Sequence, residues 1–192
     1  MIVHVHGAGV ALRARARARP WTQDNSHLTS TMACMDDLDH SEAVFVAASP
    51  QALYEMVSDV TRMGDWSPIC KACWWDDGDG PRVGAWFTGR NVIPERTWET
   101  RSQVVVADPG REFAFQLRGS WTRWGYTVEP VEGGTRLTES WHFPPDAVAG
   151  FQERYGEEAD ARLEICKQQM REGIPATLAA VKAAAEDIVA VR

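Results

Sequence analysis

From Ile69 to Phe143 the chain is a succession of short alternating segments cut by the turn signals "DDGDGP", "IPER", "ADPG", "RGS" and "EGG". Alternation at period two marks a strand with one buried and one solvated face, and closely spaced turns join such strands as antiparallel neighbours. The stretch therefore predicts an antiparallel meander with one wet side. Its inward faces follow from the alternation: Ala85, Phe87, Gly89 and Asn91; then Trp98, Thr100, Ser102 and Val104; then Phe113, Phe115 and Leu117; then Trp124, Tyr126 and Val128; then Leu137, Glu139, Trp141 and Phe143. The opposite faces carry Glu99, Arg101, Gln103, Glu112, Gln116, Arg118, Arg136, Thr138 and Ser140.

The flanking sequence supplies what covers such a sheet. Ala43 to Ala48 reads as a strand, followed by Ser49 as helix N-cap and Pro50 at the first helical position. Leu53, Met56, Val57 and Val60 then form one apolar stripe, and a second short helix runs from Thr61 to about Trp66, before Pro68. Beyond Pro144 and Pro145, Leu163, Cys166, Met170, Ile174, Thr177, Leu178, Val181, Ala185 and Ile188 mark one face of a long C-terminal helix. Gly173 and Pro175 interrupt it, and the missing proline donor predicts a kink or break near Arg171 to Pro175. The expected fold is α+β: a curved antiparallel sheet wrapped around the long C-terminal helix, with two short helices between strands 1 and 2.

Of the 192 residues, 39–190 read as a single domain and 1–38 as a disordered N-terminal extension. "ALRARARARP" alternates Ala and Arg, so on a helix its Arg residues would encircle the axis without an amphipathic face. Met1, Met32 and Met35 all stand as candidate translation starts. The first 35 residues hold four Arg and one Asp, while the remainder holds 16 Lys plus Arg against 26 Asp plus Glu. A body of that sign repels phosphate backbones, which argues against nucleic-acid binding. No apolar run approaches the roughly 18 residues of a membrane span, so no integral membrane association is expected.

Four widely spread cysteines, Cys34, Cys70, Cys73 and Cys166, without a secretory signal, read as reduced thiols in a cytoplasmic protein. "CKAC", Cys70 to Cys73, would place its thiols on opposite faces of a regular strand, and no second close pair completes a zinc site. The five histidines are scattered, with His142 facing outward. Neither metal nor cofactor is expected. Trp86 and Arg90 share the outward face of their strand, which allows cation–π stacking there.

The element order, with "SPQALYEMVSDVTRMGDWSP" near the start, "VGAWFTGRN" in the third strand and "GGTRLTESW" in the last, resembles the START-like helix-grip superfamily. More narrowly it resembles the SRPBCC-type polyketide cyclase/dehydrase and lipid-transport group, over about Ser41 to Ala185. That resemblance implies a cavity between sheet and long helix, not a particular reaction, because no catalytic motif is shared across the superfamily.

Glu139 is the residue that such a cavity must explain, because it shares a strand face with Leu137, Trp141 and Phe143. The turns set a register in which Glu139 lies opposite Tyr126, itself beside Phe113, and Trp141 lies opposite Trp124, beside Phe115. Aromatic surroundings raise a carboxylate's pKa unless a donor such as the Tyr126 hydroxyl compensates. Glu139 is then a ligand anchor, a general acid or base with Tyr126, or a structural carboxylate reaching water or an Arg. The expected lining is Phe87, Asn91, Trp98, Thr100, Ser102, Phe113, Phe115, Trp124, Tyr126, Glu139 and Trp141 from the sheet, with Met170 and Ile174 from the helix. Three readings stand: a binder of a small apolar or aromatic, lipid- or polyketide-like ligand; a polyketide cyclase or aromatase using Glu139 and Tyr126; and an interaction protein related to co-chaperones. Oligomeric state is open.

Overall fold

A computed structural model describes residues 38–78, 80–119 and 122–190. The expectations for 1–37 lie outside the described residues. Leu38, placed by the sequence at the end of the extension, is buried, and its carbonyl accepts a hydrogen bond from the Phe143 amide at 2.8 Å.

Strand β1 (Asp39–Val46) leads into helix α1 (Pro50–Ser58), a 3₁₀ turn over Val60–Arg62 and the single turn α2 (Met63–Trp66). Ser49 caps α1 by accepting the Ala52 amide at 3.2 Å, with Pro50 in the first turn, as the sequence predicts. Six strands follow: β2 (Cys70–Trp75), β3 (Trp86–Ile93), β4 (Arg96–Asp108), β5 (Glu112–Leu117), β6 (Arg123–Val131) and β7 (Gly134–His142). All seven form one antiparallel sheet in the order β1-β7-β6-β5-β4-β3-β2. The two short helices therefore carry the chain from one edge of the sheet to the other. After α3 (Pro145–Tyr155), the 32-residue α4 (Ala159–Ala190) packs against β1, β7 and the short helices.

This is the helix-grip arrangement, a curved antiparallel sheet closed on its apolar face by a long C-terminal helix. Phe87, Val104, Phe113, Leu137 and Trp141 from the sheet meet Leu163, Ile174, Leu178, Val181 and Ala185 from α4 in one buried cluster. The outer face is laced by charge pairs, including Arg90 with Glu99 and Arg123 with Glu112.

Three local expectations are corrected. Helix α4 runs unbroken through Pro175, because Ile174, Thr177, Leu178 and Val181 are buried on both sides of it. Packing both halves on one sheet outweighs a lost hydrogen bond costing about 3 kcal/mol. Cys70 and Cys73 are both buried on the inner face, because β2 carries a bulge between Cys70 and Ala72 that resets the alternation. On the outer face Arg90 lies over Trp74 and Arg101 over Trp86, so the Trp86–Arg90 stack does not form.

Candidate functional site

The inner face of β6 and β7 is in the register that the turns require: Tyr126 pairs with Glu139, Trp124 with Trp141, and across β5 Phe113 pairs with Tyr126 and Phe115 with Trp124. Glu139 is 3% exposed, and its Oε1 accepts a hydrogen bond from the Tyr126 hydroxyl at 2.9 Å. Its other oxygen, Oε2, is buried with no hydrogen-bond partner. Burial pushes the Glu139 carboxyl up to about 8, and the Tyr126 bond offsets part of that. Tyr126 is itself driven well above the ordinary phenol range, first by burial and then by the Glu139 charge. At neutral pH the pair is thus a neutral acid held by a neutral phenol. With Tyr126 donating to Oε1, the acid proton sits on Oε2 and points at no protein acceptor.

The remaining expected residues fall into three groups. Phe87, Phe113, Phe115, Trp141, Ser102 and Ile174 are buried, and Phe87 and Phe115 meet edge to face at 5.0 Å. Asn91, Thr100, Trp124 and Met170 are half-buried, and Asn91 Nδ2 donates to Thr100 Oγ1 at 3.1 Å. Trp98 is half-buried opposite Asn91, with Arg96 over its ring. The rings fill much of the concave face.

A groove of about 380 Å³ opens where α4 passes β1, lined by Glu42, Val44, Pro175, Leu178, Lys182 and Glu186 among others. Its size is at the small end of ligand pockets, roughly 300–1,000 Å³. It begins at Pro175 on the helix, one residue beyond the expected Ile174, and none of the expected lining residues borders it. Glu42 connects the two regions: in the β1–β7 ladder it is directly opposite Glu139, so both carboxylates share the inner face.

Two polar residues, one on that face and one on α4, escaped the sequence reading. His40 pairs with Trp141 across the ladder, and its Nε2 is buried without a hydrogen-bond partner, 3.7 Å from Glu42 Oε1. His40 and Glu139 hold the unpartnered buried side-chain atoms found among the described residues. Lys167 is 4% exposed on α4 and donates to Glu164 at 2.9 Å. The spacing Leu163, Lys167, Met170, Ile174 places it on the apolar stripe, a signal that choosing Cys166 for the same turn hid. Among the described residues no group of three or more His, Cys, Asp or Glu side chains is placed to hold a metal ion. No helix there is long and apolar enough to cross a membrane.

A model of the polyketide cyclase/dehydrase and lipid transport family matches residues 38–186. The chain belongs to that family. The Polyketide_cyc-like protein Cgl2372 from Corynebacterium glutamicum, known from a solution structure, is 45% identical and superposes with a TM-score of 0.60, covering 79% of this chain and 93% of its own. The di-domain ARO/CYC StfQ from the steffimycin biosynthetic pathway is 16% identical with a TM-score of 0.62, over 86% of this chain and 56% of that one. NE0264 from Nitrosomonas europaea is 13% identical with a TM-score of 0.61, over 80% and 97%. Those two likenesses show the shared fold. No curated protein matches the chain.

Proposed function

We propose that the protein binds a small apolar or aromatic molecule, lipid- or polyketide-like, between the inner face of the sheet and α4, with Glu139 and Tyr126 as its polar anchor. The observation that carries this reading is Glu139 Oε2, buried without a partner beside an otherwise aromatic face. A buried polar atom left unmatched costs about 1–3 kcal/mol, so native proteins keep few of them. A protonated Oε2 donates, so the matching ligand group is an acceptor such as a ketone, quinone or ester oxygen. His40 Nε2 supplies a second unmatched polar atom on the neighbouring strand. The groove beside β1 is the access route in this reading, and Leu178 is the buried side chain that must yield.

Native mass spectrometry of gently purified protein, followed by denaturing analysis of released compounds, tests the binding reading. A discrete carbonyl-bearing apolar compound is expected. A protein that carries nothing and takes up nothing from a panel of lipid- and polyketide-like ketones would overturn it.

A second reading, a cyclase or aromatase acting on a polyketide-like chain, is favoured by one observation: the Glu139 carboxyl, which burial pushes up to about 8, accepts a hydrogen bond from a phenol. In this reading Glu139 donates its proton to a substrate carbonyl while an adjacent carbon attacks it, and the rings impose the folded conformation. Turnover of a polyketide-like ketone that is lost in Glu139→Gln would support catalysis. Binding without turnover returns the site to transport or storage. The co-chaperone-like reading calls for an exposed apolar patch outside the cavity, and the large exposed apolar side chains among the described residues, Phe45, Trp74, Val83, Ile165 and Ile188, are divided among β1, β2, the β2–β3 loop and the two ends of α4. We place the protein in the cytoplasm, where its free thiols stay reduced.

A further inference from the structure

The bulge that turns both thiols of "CKAC" inward creates a second constellation, distinct from the Glu139 pair. Cys70 and Cys73 are buried, and the Cys70 thiol donates to the Ala72 carbonyl oxygen at 3.4 Å. They converge over Gly89, the β3 partner of Cys73. A β-carbon added at Gly89 would lie 3.4 Å from Cys70 Sγ, 3.7 Å from Cys73 Sγ and 3.6 Å from Thr100 Oγ1. The missing side chain thus leaves a small hollow roofed by two sulfurs and a hydroxyl, and Asn91 holds that hydroxyl in place.

We propose that Cys70 and Cys73 clamp one soft monovalent d¹⁰ cation of the Cu(I) class above Gly89. Soft thiolates select such ions over harder ones, and two sulfurs complete the linear coordination that a d¹⁰ monocation accepts. Two metal–sulfur bonds of about 2.3 Å each span roughly 4.6 Å, a separation open to two sulfurs that lie 3.4 Å and 3.7 Å from one point above Gly89. Zinc is disfavoured because it needs four ligands, and no such group exists among the described residues. Both cysteines are free thiols.

The binding step balances without an oxidant. Two S–H bonds break, two S–Cu bonds form, two protons pass to solvent, and the copper stays monovalent. The clamp carries one net negative charge. Thr100 and Asn91 face the hollow without adding charge.

Anaerobic titration of the full-length reduced protein with Cu(I), held by a chromophoric chelator, tests the clamp. One equivalent should pass to the protein with a new sulfur-to-copper absorption in the near ultraviolet. Cys70→Ser and Cys73→Ser should each lose that equivalent, while Cys34→Ser and Cys166→Ser keep it. Gly89→Ala retains both thiols at ordinary contact distance and fills the hollow, so it should weaken capture at least tenfold even if a serine variant fails to fold. Failure to capture Cu(I), capture that survives either serine variant, loss in the Cys34 or Cys166 variant, or unchanged affinity in Gly89→Ala would each overturn the proposal.

Discussion

At Glu139 burial and hydrogen bonding pull in opposite directions, and burial wins. The carboxyl rises from 4.5 to about 8 although Tyr126 donates to it. The folded protein therefore keeps a proton that the unfolded chain releases near 4.5. Stability from this group is complete below that value and is lost as pH rises through about 8. Between pH 5.5 and 8.5 the loss amounts to about 3 kcal/mol. Glu139→Gln removes the titration, so urea unfolding of the variant should lack that decline; an equal decline in both proteins would show that Glu139 ionises freely. Tyr126→Phe takes away the donor to Oε1 and should cost about 1–3 kcal/mol at pH 7 while pushing the Glu139 pKa higher still. A carboxyl-labelled infrared titration checks the direction. That Glu139 faces inward is legible from period two alone. That Oε2 and His40 Nε2 go unmatched is not, because it depends on which donors the packing brings within reach.

Elements fix which of those donors arrive. The meander, the Ser49 cap and the β5–β6–β7 register were legible because turn residues and alternation specify them locally. The side-chain direction at Cys70 was not, since one extra residue in β2 reverses parity and leaves no mark in composition. Pro175 was misjudged for a different reason: its local penalty is real, but the buried residues around it set the outcome. Pro175 is exposed, so Pro175→Ala should relieve that penalty and raise stability by about 1–3 kcal/mol in urea. No gain would mean that a compensating distortion already restores the lost bond. Gly134 sets the opposite constraint at the start of β7. A β-carbon there would stand 2.3 Å from the Val46 carbonyl oxygen, a backbone atom that cannot swing aside. Gly134→Ala should therefore cost about 2 kcal/mol or more, with amide exchange accelerating first along β1.

For the whole molecule, the decisive question is how a ligand reaches an interior lined by packed rings. The helix-grip layout leaves β1 as a sheet edge beside α4, and the groove lies along that edge. Its position was not legible in the sequence, because it arises from how a continuous α4 crosses β1. Ala179 lines the groove but is exposed, so a large side chain there obstructs the mouth without entering the core. Ala179→Trp should change unfolding free energy by no more than about 0.5 kcal/mol. It should also slow or abolish uptake of whatever ketone the wild type retains. A ligand at a hundredfold excess over its Kd stabilises the folded state by about 2.7 kcal/mol, so the loss is readable as a missing thermal shift. Glu139→Gln separates the outcomes. If Ala179→Trp loses the shift slowly reversibly and Glu139→Gln loses it at equilibrium, access runs along β1 and the anchor lies behind Glu42. If Ala179→Trp binds as quickly and tightly as the wild type, the groove is not the route, and access must come through the far end of the sheet, where half-buried Trp98 and Asn91 stand.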